Sequence, residues 1–219
     1  MGYTFLVMIH TIFFDLDNTL YSRHSGIWEA IGNRISLFMT DVLSINEDDV
    51  MPLRRQFREN YGTTLMGLQS LFDVDEMEYL AYVHDVDLHA MLNDDGKLKE
   101  LIKNIPQRKF IFTNSDSAHA TRVLSLFNIQ QYFERIIDVI AMKPYVKPHP
   151  QSYEIALGMS GIQSPDGCMF IDDMIENVKG ASLAGFYSVF VGDAHPEFPT
   201  IKDIYELPSL LEKTIQENN

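Results

Sequence analysis

A chain of 219 residues is long enough for one large domain or two modest ones. Its 46% hydrophobic and 22% charged content is that of a globular protein, not a disordered one. A formal net charge of −14 argues against a general DNA or RNA scaffold, because a phosphate backbone needs a positive surface, but leaves room for a small phosphate ester held by a metal and local cations.

The opening "MGYTFLVMIHTIFF" is apolar but lacks a basic leader and a small-residue cleavage site. It also falls short of the roughly 20 apolar residues of a spanning helix, so no membrane partner is expected. Either Met1 or Met8 serves as the start. Short apolar runs at 11–14, 110–113, 136–140, 168–171 and 187–191 read as buried strands. Helical patterns at 117–127, 152–159 and 177–184 lie between the last four, and 207–215 reads as a closing helix. Strand and helix in alternation predict an α/β fold, a doubly wound parallel sheet covered on both faces.

The first and second strands are separated by a stretch that is helical, not loop. Ile27, Trp28, Ile31, Ile35, Phe38, Met39 and Val42 recur at helical spacing, with Trp28 read as core. Val50, Leu53, Phe57 and Tyr61 do the same, with Asn46 as N-cap and Gly62 as stop. Further helices are expected across 64–72 and 75–84. The predicted organisation is a core of residues 1–21 and 94–219 with an inserted helical domain at 22–93. The sole cysteine, Cys168, excludes an intrachain disulfide and a cysteine zinc cluster, and points to a reducing, cytoplasmic setting.

The chemistry collects at strand ends. The first strand runs into Asp15 and Asp17, the second ends at Thr113 and Asn114, "MKPYVKPHP" after the third carries Lys143 and Lys147, and the fourth ends at Asp172 and Asp173. Open α/β sheets bind ligands outside these carboxyl ends. So many acids on one rim require a cation, and carboxylates with a main-chain carbonyl are the hard oxygen donors that Mg²⁺ prefers. A lysine and a threonine hydroxyl beside them suit the remaining oxygens of a phosphate. Asp15 then reads as a nucleophile that forms an aspartyl-phosphate, and Asp17 as the acid and base, with its carbonyl on the metal.

The motifs "FFDLDNTLY", "FTNS", "VKPHP" and "FIDDMIEN", in this order, resemble those of the haloacid dehalogenase superfamily of phosphohydrolases. The helical insert resembles that superfamily's C1-type cap. "YGTTLMGL" and "TNSDSAHATRVL" are similar to its pyrimidine 5′-nucleotidase-like branch. The resemblance implies Asp15 as nucleophile, Asp17 as acid/base, Thr113 and Asn114 at the phosphate, and a Mg²⁺ site of Asp15, Asp17, Asp172 and Asp173. Lys147 is preferred to Lys143 because "KPHPQSY" fits the Lys-Pro-x-Pro-x-x-aromatic pattern. Asp173 corresponds to the direct metal ligand, with Asp172 helping. Many members carry a second acid where this chain has Asn177. The expected function is a Mg²⁺-dependent phosphomonoesterase, with a pyrimidine nucleoside monophosphate as candidate substrate.

Blander readings compete residue by residue. A lone Asp-x-Asp is more often a turn than a site. A calcium loop fails, because Leu20 and Gly26 stand where that template needs Gly and Glu. Arg54, Arg55 and Arg58 read as a solvated helix face, and His119 as either a substrate contact or a helix cap. A sugar phosphomutase would share the aspartates. A receiver-type phospho-accepting domain uses a similar cluster, but its acceptor would end the third strand, inside which Asp138 is predicted to lie.

Overall fold

The structure, a computed structural model, describes residues 8–94 and 96–216. The choice between Met1 and Met8 and most of the N-terminal apolar run fall outside the described residues. The chain divides into two compact units, one formed by residues up to Ser22 and from Asp94 onward, the other by Arg23–Asn93.

The first unit opens on β1 (Thr11–Phe14), whose residues are all buried. In the second, α1 (Ile27–Leu37) buries Ile27 and Ile31, one turn apart, and passes into a π-helical turn over Phe38–Val42. The long α2 (Glu47–Tyr61) begins with Glu47, Asp48 and Asp49, acids suited to the positive end of the helix dipole. Asn46 stands at its N-cap position without making a side-chain cap bond. Gly62 ends it at φ 85°, a conformation that side chains resist. In α3 (Thr64–Leu71), Gly67 meets the Phe57 ring so closely that an added Cβ would sit 2.2 Å from it, so only glycine lets α2 and α3 approach. The side chains of Thr63 and Asp75 cap α3 and α4 (Glu76–Val83), and Asp87 caps the short α5 (Leu88–Met91). Phe38 packs edge-on against Tyr79 at 5.0 Å, and Arg34 lies 4.1 Å over Tyr82, tying α1 and the π-helical turn after it to α4. Trp28, read as core, is 47% exposed.

The first unit resumes with α6 (Lys97–Asn104), which buries Leu98 and Ile102. Then come β2 (Arg108–Phe112), α7 (Ser117–Leu126), β3 (Arg135–Ile137), α8 (Pro150–Met159), β4 (Cys168–Asp172) and α9 (Ile175–Leu183). Last are β5 (Tyr187–Val191), β6 (Thr200–Ile201) and α10 (Leu207–Gln216). The strands form one parallel sheet in the order β3-β2-β1-β4-β5-β6, as the apolar runs require of strands buried on both faces. On one face Phe13, Phe110, Phe112 and Phe170 gather with Tyr153 and Phe186, and Phe13 stacks on Phe110 at 5.2 Å. On the other, Ile12, Phe14, Ile111, Met169 and Ile171 are equally buried. Each such side chain contributes about 1.5–3 kcal/mol by leaving water. No helix among the described residues is long and apolar enough to cross a membrane.

Candidate active site

From β1 the chain steps to β2 and β3 on one side, then crosses to β4, β5 and β6 on the other. The order therefore reverses beside β1, and such a switch point leaves a crevice outside the carboxyl ends of the strands. Phe14 pairs with both Ile111 and Ile171, so the residues following β1, β2 and β4 emerge at one level. Asp15 follows β1 and donates its N–H to the Ile171 carbonyl (2.9 Å), Thr113 follows β2, and Asp172 ends β4.

Lys147 joins these tips. Its side chain is wholly buried, and Nζ donates to Asp15 Oδ1 at 2.8 Å and to Asp172 Oδ2 at 2.6 Å. Nζ also lies 5.2 Å from the Phe112 and Phe170 ring centres. Lys143, in contrast, is exposed. Burial alone would lower the Lys147 pKa; Asp15 and Asp172 outweigh it and raise it. Asp15 is raised well above the usual carboxylate range, first by burial and then by Asp172, Asp173 and Asp17, against the opposing pull of Lys147. One ammonium does not neutralise this group of acids.

Carboxylate oxygens of Asp15, Asp172 and Asp173 lie within 4.8 Å of one another, a donor set that fits a hard divalent cation. Asp172 is the most encumbered of the three. Besides Lys147 it accepts from Met174 N–H (2.8 Å) and, on both oxygens, from Asn177 Nδ2 (3.1 and 3.0 Å). Asn177, whose role the sequence leaves open, thus braces Asp172. Asp173 accepts a long bond from Asn18 Nδ2 (3.3 Å), and Asn18 Oδ1 is buried with no partner among the described residues.

The carboxylate of Asp17 is outside that cluster and turns towards other groups. Tyr21 and His119 donate to Oδ1, with His119 Nε2 at 2.8 Å, and Ser115 Oγ donates to Oδ2 at 2.6 Å. Burial pushes its pKa up, but the His119 charge and the three hydrogen bonds prevail and hold it well below the ordinary range. Thr113, fully buried, accepts from Ser115 N–H at 3.0 Å, which leaves its hydroxyl hydrogen to give to an incoming oxygen. Asn114, expected at the phosphate, has its amide closed on the backbone of Lys147: Nδ2 donates to the carbonyl (2.9 Å) and Oδ1 accepts from the N–H (3.0 Å). Its side chain therefore fixes the lysine, and what it can offer an anion is its main-chain N–H. Sequence reasoning missed Tyr21 and Ser115; Tyr21, one turn after Asp17, was readable by spacing, but Ser115 depends on a turn that only the fold defines.

Asp138, expected inside the third strand, lies just beyond it. β3 ends at Ile137, so Asp138 does follow a strand tip. Its oxygens accept from the Ser117 and Ala141 amides (2.9 and 2.8 Å), which makes it a buried loop cap outside the acidic cluster.

Asp173 yields a test of this electrostatic arrangement. Burial first and Asp172 second push its pKa up to about 6. An unfolded aspartate loses its proton near 3.9, so the folded chain holds a proton that the unfolded chain has already lost. The stability this supplies is full below about pH 4 and is lost as pH rises through about 6. In EDTA the protein is therefore expected to melt at lower temperature at pH 7 than at pH 5, with Asp173 contributing about 1 kcal/mol to the difference. Asp173→Asn should flatten that slope; an equally steep slope in the variant rules out Asp173 as its source.

A family model for haloacid dehalogenase-like hydrolases matches residues 9–185. Phosphate metabolism protein 8 of Saccharomyces cerevisiae is 28% identical, over 91% of this chain and 72% of its own. Phosphoglycolate phosphatase of Pasteurella multocida is 20% identical, over 77% of this chain and 70% of its own. Among solved structures, the magnesium-bound hydrolase YfnB of Bacillus subtilis superposes with a TM-score of 0.63 at 20% identity, covering 94% of this chain and 99% of its own. With its parallel sheet and its acidic rim, this chain belongs to the haloacid dehalogenase-like hydrolases.

Proposed function

We propose that the protein is a Mg²⁺-dependent phosphomonoesterase that works through an aspartyl-phosphate on Asp15. The observation that carries this is Lys147 Nζ held between Asp15 and Asp172, with Asp173 in the same cluster, at the switch point of the sheet. Asp15, the acid that directly follows β1, attacks phosphorus. Lys147 orients the Asp15 carboxylate and balances charge on the transferring group, while the Thr113 hydroxyl and the Asn114 main-chain N–H receive phosphate oxygens. Asp17, held ionised by its three donors in the free protein, takes up a proton as the negatively charged ester binds beside it, gives that proton to the leaving oxygen and then takes one from the attacking water. Asp15 and Asp173, with the Asp17 carbonyl, would hold Mg²⁺, and Asp172 would support it. The metal, when bound, neutralises the carboxylates and polarises the phosphoryl oxygens.

The helical unit Arg23–Asn93 is proposed to be a cap that chooses the substrate. A phosphatase activity is also the named activity of the Pasteurella relative. The stretches "YGTTLMGL" and "TNSDSAHATRVL" support a pyrimidine nucleoside monophosphate as substrate, and the single cysteine supports a cytoplasmic location. The test is phosphate release from UMP, CMP, AMP, phosphoglycolate and sugar phosphates, with Mg²⁺ and with EDTA. Mg²⁺-dependent release with UMP or CMP ahead of AMP is the expected result. Activity indifferent to EDTA refutes the metal; AMP or a sugar phosphate in the lead refutes the pyrimidine assignment alone. Phosphoryl return without free phosphate would mark a mutase.

A further inference from the structure

We propose that His119 is a positioning residue for the proton-transferring carboxylate of Asp17, acting together with Tyr21 and Ser115; this rests on the phosphomonoesterase reading. The three donors come from two separate segments. Tyr21 lies one turn beyond Asp17, while Ser115 belongs to the turn that leads from β2 into α7 and His119 to the first turn of α7 itself. Both Asp17 oxygens are engaged: Oδ1 by Tyr21 and His119, Oδ2 by Ser115. A carboxylate with one donor can still rotate about its Cβ–Cγ bond; donors on both oxygens fix its plane.

His119 is itself firmly placed. Its side chain is wholly buried, and its main-chain N–H donates to Asp116, the N-cap of α7, at 2.7 Å. Ser115 is anchored at both main-chain ends, by its N–H to Thr113 Oγ1 (3.0 Å) and by its carbonyl to Val139 N–H (3.1 Å). The segment that carries Thr113 to the phosphate therefore also carries the two groups that aim Asp17, and phosphate and proton are located by one stretch, the end of β2 with the start of α7.

A buried histidine that merely tied α7 to the loop after β1 would make the same contacts, so the experiment must read proton transfer. The second-order constant kcat/KM reports steps up to departure of the leaving group, where an alkoxide needs a proton and p-nitrophenolate does not. His119→Leu keeps the burial and removes the donor. We expect kcat/KM for an alkyl phosphomonoester such as glycerol phosphate to fall about 10²-fold, while that for p-nitrophenyl phosphate falls less than about threefold. His119→Gln, whose Nε2 can reach Oδ1, should recover most of the loss, and Tyr21→Phe should show the same split more weakly. Circular dichroism and melting curves establish that each variant is folded; if His119→Leu is not, the Gln and Tyr21→Phe variants carry the test. Equal losses on both substrates, or no recovery with Gln, overturn the assignment. Asp17→Asn must show the split most strongly. If it shows none, or if the wild type releases no phosphate from any ester, the underlying reading fails and takes this proposal with it.

Discussion

Replacing Asp15 with Asn should abolish phosphate release and leave the fold as stable as before or more so. The amide has nearly the shape of the carboxylate but cannot form the acyl-phosphate bond. Loss of a nucleophile from a preorganised site costs on the order of 10⁴-fold or more in kcat. Stability should move the other way because Asp15 is buried and its pKa is raised well above the usual range by burial and by Asp172, Asp173 and Asp17. A neutral side chain relieves that repulsion, while Lys147 keeps its 2.6 Å bond to Asp172. In EDTA, therefore, Asp15→Asn should melt at or above the wild-type temperature, and with Mg²⁺ present its turnover should be undetectable. Near-normal turnover would show that another group attacks. A sharp fall in melting temperature would show that the Lys147–Asp15 pair stabilises the site more than the clustered acids destabilise it.

The layout of the sheet was legible in the sequence because strands buried on both faces leave a continuous apolar run. The runs at 11–14 and 187–191 coincide with β1 and β5. The third run, 136–140, was misread in length: β3 stops at Ile137, where Asp138 turns the chain by accepting from two amides, although Val139 beyond it remains buried. Hydrophobicity reports burial and does not report where a ladder ends. β6 spans only Thr200–Ile201 beside two prolines, too short for any periodicity. α6 did carry a signal, with Leu98, Leu101 and Ile102 at helical spacing, but it is a short element. The π-helical turn after α1 and the half-exposed Trp28 depend on packing, which periodicity does not encode.

The acids and the lysine could be read from their positions at strand ends, and the structure brings Asp15, Lys147, Asp172 and Asp173 together. What escaped was the division of labour among the polar neighbours. Asn114 looked like a phosphate ligand because it follows Thr113, yet its amide is complementary to both the N–H and the carbonyl of Lys147. Asn177 looked like a missing acid and turns out to be a donor to both oxygens of Asp172. The Asn114 partner lies 33 residues along the chain, where no local pattern could have supplied it. Asp172 is only five residues before Asn177, and what was missing there was the fold of the turn between them.

Lys147→Met is expected to produce the largest loss of stability in the site. Methionine keeps an unbranched apolar stem of similar length between Phe112 and Phe170, so packing is largely preserved and the change is mainly one of charge. What remains is Asp15 and Asp172 without their cation, both buried, with Asp173 close by. Removing one partner of a buried pair typically costs about 3–5 kcal/mol, because the other charge is left uncompensated. Asp172 retains Asn177 and Met174 as donors, so the loss should fall towards the lower end of that range. For a chain of this size each kcal/mol lowers the melting temperature by about 2–4 °C, which makes the effect roughly 6–15 °C in EDTA. Mg²⁺ binds only the folded cluster and should restore part of it by mass action. Turnover should still fall about 10²–10³-fold with Mg²⁺ present, since the charge facing the phosphoryl group is gone. Lys147→Arg should not rescue either property: the planar fork is wider than an ammonium seated between two carboxylates and two phenyl rings. If Lys147→Met melts like the wild type in EDTA, the acids take up protons at no cost to the fold, and Lys147 is not the group that makes their convergence tolerable.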